Sequence, residues 1–559
     1  MRQRRRRLIF AQERARFARW QPPDERRQKM SWALDFSRGI AVAIAMGTTW
    51  PLGAVAQGTS GARARSAARA YREHNEAAIV SQFAALLSIP NLASDSINIR
   101  RNADFLVQML ESRGFRNTRL LTVPGGPPAV YGELPSPGAA RTLVLYAHYD
   151  GQPLDPKQWA TPPWSPVLRD AALNDGGKEI PLPAPGSGAR VDPEARLYAR
   201  SAGDDKASII AILTAIDAMR AQHLEQSVNL KVFFEGEEEA GSGHLRQILE
   251  TYAPTLTGDA WLFCDGPVHP SGRAELVFGQ RGVTGLELTV YGPTRALHSG
   301  HYGNWAPNPA ALIANLIASM RDDDGHIKIA GYYDDVRPIS PAERRAIASL
   351  PPYDETLRHA LGLARTEAND ANLAERTMLP ALNVRGIRVG GVRETGSNTI
   401  ATEAYASFDL RLVPNQTPER VQRLVEEHIR RQGYFIVHDS ATLAVRLAHP
   451  KVARVEWESG YPPQRAPLDG PFGRAVLAAL NDGAPQPLLA LPTSGGSGPA
   501  YLFEQILHAP MISLPIANYD DNQHAANENL RMQNLWDGIE TYVALLTGIG
   551  ERWGARPVP

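Results

Sequence analysis

The sequence predicts an α/β protein: a mixed, largely parallel sheet held between helices as an αβα sandwich, with a ferredoxin-like α+β domain inserted into it. Three observations carry this expectation. From residue 70 to 284, short apolar and β-branched runs alternate with helical periodicity, the pattern of strands buried on both faces and joined by crossover helices. From Gly285 the order becomes strand, helix, two strands, helix and strand, which is βαββαβ. After about Gly460 the first pattern returns, so the chain divides into 70–284, 285–459 and 460–553, with the middle piece as the insert.

Taken in order, residues 71–88 have the period of a helix and stop at Ile89 and Pro90. A second helix over 102–114 leads to strands at 119–123 and 130–134, and the continuous apolar run 142–146 reads as a strand buried on both sides. Residues 153–193, rich in Pro, Gly and Asp, read as a long loop over the sheet. A helix over 207–222, a strand at 228–234, a helix to about Tyr252 and a strand at 260–264 complete the first piece. The insert is read as a strand from Gly285, a helix over 308–320, strands at 382–389 and 404–412, a helix over 418–432 and a last strand near 443–456. Residues 321–380 interrupt it without a readable structure, and helices near 471–481 and 534–546 return the chain to the first domain.

With 559 residues, 43% hydrophobic and 21% charged, the chain is globular and long enough for two domains or more. Its formal net charge of +0 conceals an asymmetry, because residues 1–56 hold 12 Lys/Arg against 4 Asp/Glu. The remaining body is mildly acidic, which argues against a nucleic-acid partner. The basic excess reads as a targeting segment. Counted from Met30, which is an alternative start, Arg38 precedes an apolar run from Gly39 to Met46, small and apolar residues to Leu52, and then Ala54, Val55 and Ala56. This is a secretory pattern with cleavage expected after Ala56, and its apolar run is short for a bilayer span. The expectation is a periplasmic or secreted protein with no stable membrane insertion after cleavage. One cysteine, Cys264, forbids an intramolecular disulfide framework.

The chemistry-bearing residues lie at strand ends or on the loops that leave them. Residues 235–242, EGEEEAGS, place consecutive acids on the turn after a buried strand, where ionised carboxylates cost several kcal/mol each unless a cation compensates. An isolated EEE is ordinarily a solvated turn. His148 and Asp150, two apart on an extended chain, share a face, as a histidine ligand and the carboxylate bracing it do. Asp204 and Asp205 precede a helix, where acids also serve as plain caps. Asp265 ends an apolar strand, and His524 lies in the late polar loop YDDNQHAANEN. Two His and three carboxylates at one sheet edge suit two borderline divalent ions, zinc first and manganese or cobalt as alternatives. One acid then remains as a general base.

AHYDGQP, SAGDDK, EGEEEAGS, FCDG, LHSGHYG, DLRLVPNQ, SGGSGP and the late histidine occur in an order that resembles the co-catalytic dizinc metallopeptidases, which include aminoacylase, carnosinase-type dipeptidases and glutamate carboxypeptidase. The resemblance spans roughly residues 75–550. It implies that His148, Asp204 and Asp265 hold one metal, that Asp204, Glu239 and His524 hold the other with Asp204 bridging, that Glu238 is the general base, and that Asp150 braces His148. Glu235 becomes a supporting residue and Glu237 dispensable. The resemblance further implies that the insert is a lid and dimerisation domain, that His298 polarises the scissile carbonyl from a partner subunit of a homodimer, and that Arg411 binds the substrate carboxylate with Asn398 or Thr399 and the Gly495, Gly496, Ser497 turn. Departures are the KAS start of the helix after Asp205, Ser494 where an acid is common, and the 321–380 insertion.

The function so implied is a secreted metal-dependent exopeptidase or dipeptidase acting on substrates with a free carboxylate, through a two-metal-activated water and a glutamate base. An N-acyl amino-acid deacylase uses the same centre and the same Arg411. A binding or scaffold homologue without catalysis is the third reading, and its relatives lack ligands or base where this chain has them.

Overall fold

The computed structural model describes residues 59–368 and 371–554, so the leader read over residues 1–56 lies outside the described residues. Across the main sheet the strands run Arg116–Leu121, Ala129–Leu134, Asn229–Glu235, Thr142–His148, Ala260–Phe263, Met511–Ser513, Glu275–Val277 and Leu489–Leu491. The central four are mutually parallel, and antiparallel pairs occur toward both edges, so the sheet is mixed. Thr142–His148 shows why this chain makes a sandwich. Leu143, Leu145 and Ala147 enter the apolar cluster on one side, and Val144 and Tyr146 enter the cluster on the other. A strand apolar on both faces, as this one is from Leu143 to Ala147, is stable only with both faces covered. Helices Ser60–Leu87, Ser96–Ser112, Lys206–Ala221 and Met532–Trp553 contribute to the first cluster; Leu245–Thr251 and Ala500–Leu507 contribute to the second.

The inserted sheet has the order Ala381–Arg388, Glu403–Leu412, Gly282–Tyr291, Val452–Trp457, Phe435–Val437. Its first four strands are antiparallel and carry helices Pro309–Met320 and Pro418–Arg431 over a third apolar cluster, which is the ferredoxin-like arrangement. The fifth strand is an addition at the edge, parallel to its neighbour. Burial along Glu403–Leu412 alternates at every residue, as a sheet covered on one face requires.

Four expectations change. The first helix begins at Ser60, well before Tyr71, because its early turns bury arginine as well as alanine: the Arg65 guanidinium donates to Leu480 O at 2.6 Å. Residues 153–193 are not wholly loop; Val167–Arg169 and Glu179–Ile180 join Arg196–Tyr198 and Asn529–Arg531 in a four-stranded sheet. The strand expected near 443–456 is a helix, Leu443–Ala448, followed by Val452–Trp457; a Thr442 side-chain cap on Val445 N starts the helix. The 321–380 insertion contains helices Pro341–Ala348, Asp354–Ala360 and Leu373–Thr377. It is fastened to the main domain by buried Glu343, which caps its own helix with Ser340 and pairs with Arg465 at 3.3 Å. Among the described residues no helix is long and apolar enough to cross a membrane.

Candidate metal centre and active site

Parallel strands end at one edge, and that edge collects the acids. His148 closes Thr142–His148 and registers with Glu235 at the end of Asn229–Glu235. Asp265 follows Ala260–Phe263 by two residues. Asp204 and Asp205, joined by a cis peptide, precede helix Lys206–Ala221. Glu238 and Glu239 open the short turn Glu238–Ala240. His524 sits on the loop before Asn529–Arg531.

The ligand atoms of His148, Asp204 and Asp265 lie within 4.8 Å of one another, and so do those of Asp204, Glu239 and His524. Asp204 belongs to both groups and divides its oxygens between them. Its Oδ1 is 2.8 Å from His148 Nε2, and its Oδ2 is 3.2 Å from His524 Nε2, which is itself 3.2 Å from Glu239 Oε2. Asp265 Oδ1 is buried without a hydrogen-bond partner, 4.0 Å from His148 Nε2.

Carboxylates outnumber imidazoles in the two groups. Burial pushes the Asp265 carboxyl up to about 7, with Asp204 adding to the effect. Burial likewise raises Glu238 well above the usual carboxylate range; a charged His148 opposes the rise, while Asp265, Glu239 and Asp204 reinforce it. The imidazoles respond in the opposite sense. Bonds to Asp204 and Glu239 lift His524 to about 10, and His148 is raised, against the lowering effect of its burial, by the neighbouring carboxylates of Asp150 and Asp204. A pair of divalent ions fits this donor set, which is imidazole nitrogen and carboxylate oxygen with one buried carboxylate oxygen left unmatched.

Supporting residues fix the ligands. Asp150 lies 3.4 Å from His148 Nδ1, long for a hydrogen bond, and makes its closer contacts with the acidic turn: its oxygens accept from Glu238 N at 3.1 Å and Glu239 N at 3.0 Å. It therefore ties the histidine strand to the turn that carries the base candidate. Glu237 faces away from both groups and accepts from the backbone and ring of His244. Glu235 accepts from the Tyr146 hydroxyl at 2.7 Å, and burial pushes its carboxyl up to about 7. Among the residues expected at the substrate, His298 and Thr399 face each other on an exposed two-stranded ribbon, with Ser299 N donating to Asn398 O. Arg411 reaches the glycine-rich turn, donating from Nη1 to Ser497 Oγ at 2.9 Å. Gly495 and Gly496 are held there by Arg281, whose backbone N–H donates to Gly496 O and whose Nε donates to Gly495 O.

Several of these partners have no signature in the sequence. Fully buried Glu528 accepts from Ser201 N, Gly203 N and Asp204 N at 2.8, 3.0 and 2.9 Å, and pairs with Arg200 at 2.7 Å. Gln523 donates to Asp204 Oδ2 and Gln152 to Glu239 Oε2. Both Glu528 and Gln523 stand in the late loop that drew notice only for its histidine.

A family model described as Peptidase family M20/M25/M40 matches residues 144–548, which take in every member of both groups. The chain belongs to this peptidase family. It is 28% identical over 492 residues to the Cys-Gly metallodipeptidase of Schizosaccharomyces pombe, covering 84% of this chain and 96% of that protein. It is 26% identical over 428 residues to the human Beta-Ala-His dipeptidase, covering 75% and 76%. Among solved structures, a M20 family metallo-carboxypeptidase from Sulfolobus solfataricus superposes with a TM-score of 0.67 at 27% identity, covering 85% of this chain and 99% of that one. Membership makes the chain a metal-dependent hydrolase of the metallopeptidase class.

Glu528→Ala leaves three buried N–H groups and Arg200 without their acceptor, so the Asp204 loop loses its anchor. Competition against a chelator should show metal affinity reduced about 10- to 100-fold, as loss of an outer-shell partner does. Unchanged affinity would mean that the 201–204 loop is held in place without Glu528.

Proposed function

We propose that this family member is an exopeptidase, most specifically a dipeptidase, that cleaves the amide bond of substrates with a free carboxylate, using two divalent ions, zinc first, and Glu238 as the base. The observation that carries the proposal is the division of Asp204 between two ligand groups, with Glu238, half-buried, beside both and belonging to neither. When bound, the two ions supply Lewis acidity that activates a water and takes up charge on the scissile carbonyl oxygen. Glu238, oriented by its backbone bond to Asp150, accepts the proton of the attacking water and returns it to the leaving nitrogen. Burial among acids raises its basicity, which favours a group that takes up a proton.

Arg411 offers the substrate carboxylate a guanidinium already oriented by Asp409 and Ser497. In the proposed homodimer His298, exposed on its ribbon, serves the site of the partner subunit together with Asn398 and Thr399; sedimentation as a monomer would contradict this part. Export with cleavage after Ala56 is supported by the apolar run from Gly39 and the Ala54–Ala56 pattern; retention of the protein in the cytoplasm would contradict export, and recovery of residues 30–56 intact on the exported protein would contradict cleavage. The relatives named for Cys-Gly and Beta-Ala-His dipeptides support dipeptides over N-acyl amino acids.

Glu238→Gln keeps the shape and removes the base, so kcat should fall at least about 100-fold while bound metal is retained. A variant that turns over at the wild-type rate would refute the assignment of the base. On wild-type protein, a panel of dipeptides beside N-acetyl and N-succinyl amino acids should show preference for the dipeptides; the reverse order would establish the deacylase.

A further inference from the structure

We propose that Tyr461 and Tyr501 wall the pocket beside Arg411, so that the substrate residue bearing the free carboxylate is aromatic, an inference that rests on the peptidase reading above. Val283 lies at the middle of a three-residue row. It registers with Arg411 on one side and forms an antiparallel bridge to Tyr461 on the other, closed by two hydrogen bonds of 3.0 Å. Residues opposite one another in antiparallel strands share a face, so Tyr461 and Arg411 emerge on the same side, two strand spacings or roughly 10 Å apart.

The segment after the glycine-rich turn meets this row twice. Ser497 accepts from Arg411, and four residues on, Tyr501 stacks on Tyr461 with ring centroids 5.9 Å apart and planes at 17°. Both rings are half-buried, and Tyr501 packs against the second apolar cluster. The Tyr461 hydroxyl is raised first by burial and then by Glu238, with Arg411 opposing. The ring therefore stands in the field of both the base and the carboxylate clamp.

Charge selects among side chains. Arg281 extends from the residue two before Val283, and burial together with the charge of Arg411 pushes its guanidinium down to about 10. It donates to backbone carbonyls of Gly495 and Leu379, whereas Arg411 pairs with Asp409. Two guanidiniums facing one carboxylate leave a single positive charge, which one substrate carboxylate satisfies. A second carboxylate on the substrate side chain would meet tyrosine rings in place of a cation. An aromatic side chain would meet the offset or edge-to-face contacts that such rings favour.

The test compares kcat/KM for Ala-Phe, Ala-Gly and Ala-Glu on metal-loaded wild type and on Tyr461→Phe, Tyr461→Ala and Tyr501→Leu. Ala-Phe should exceed the other two by about tenfold, the scale of one well-packed side-chain contact. Tyr461→Phe should keep that ratio, and Tyr461→Ala and Tyr501→Leu should bring it close to one through a rise in KM for Ala-Phe. A wild-type preference for Ala-Gly or Ala-Glu, or a ratio untouched by both pocket variants, overturns the proposal. If no dipeptide is cleaved, the peptidase reading fails by itself, and N-acetyl-Phe against N-acetyl-Gly carries the same comparison. Equal rates on those two, or no turnover of either, would overturn the pocket as well.

Discussion

Each oxygen of Asp204 is bonded to an imidazole, and with Asp265 and Glu239 close by, the pocket gathers more negative charge than its own side chains can balance. Carboxylates taken out of water cost several kcal/mol apiece unless a cation answers them. That demand is felt at His524, whose bonds to Asp204 and Glu239 lift it to about 10. Divalent ions answer the same need with more charge and free the imidazole nitrogens to act as ligands. The geometry of the edge and its electrostatics thus make one demand, and the family to which the chain belongs meets it with metal.

The scaffold serves that demand by bringing distant segments to one place and holding each by its backbone. Asp150 grips the amides of Glu238 and Glu239, so the base candidate is positioned by the strand that delivers His148. Glu528 grips three amides of the Asp204 loop from the late segment that also carries His524. Lys206, buried directly after the acidic pair, is satisfied by Leu86 O and Asn102 and is pushed down to about 7 by burial. Its partners lie at the end of the first helix and within the second, which therefore take part in placing the centre. The insert supplies Arg411, whose bond to Ser497 joins it to the main domain.

What could be read in the sequence follows from the range of the forces involved. Strand Thr142–His148 and the βαββαβ order were legible because full burial imposes continuous apolar runs and single-face burial imposes alternation. Acids and histidines at strand ends are costly and therefore conspicuous, but it is the resemblance to the dizinc metallopeptidases, and not their spacing, that sorts them into the two groups the structure brings together. Glu528 was not, since a buried acid that binds backbone amides has the same letters as a solvated one. Residues 60–70 hid a helix because their buried positions include Arg65, which breaks the apolar period while satisfying Leu480 O. Helix Leu443–Ala448 hid inside a run that strand periodicity fits equally well, and only the Thr442 cap decides it. The strands within 153–193 pair onto Arg196–Tyr198, whose other side pairs with Asn529–Arg531, more than 300 residues away, which local composition does not report.

The most direct test of this account is metal stoichiometry by elemental analysis of purified protein after saturation and removal of free ions, on wild type and on Asp204→Asn. Two ions per chain in the wild type, and loss of both in the variant, are what a single shared carboxylate requires. One ion or none in the wild type, or two retained by Asp204→Asn, would contradict a centre organised around Asp204.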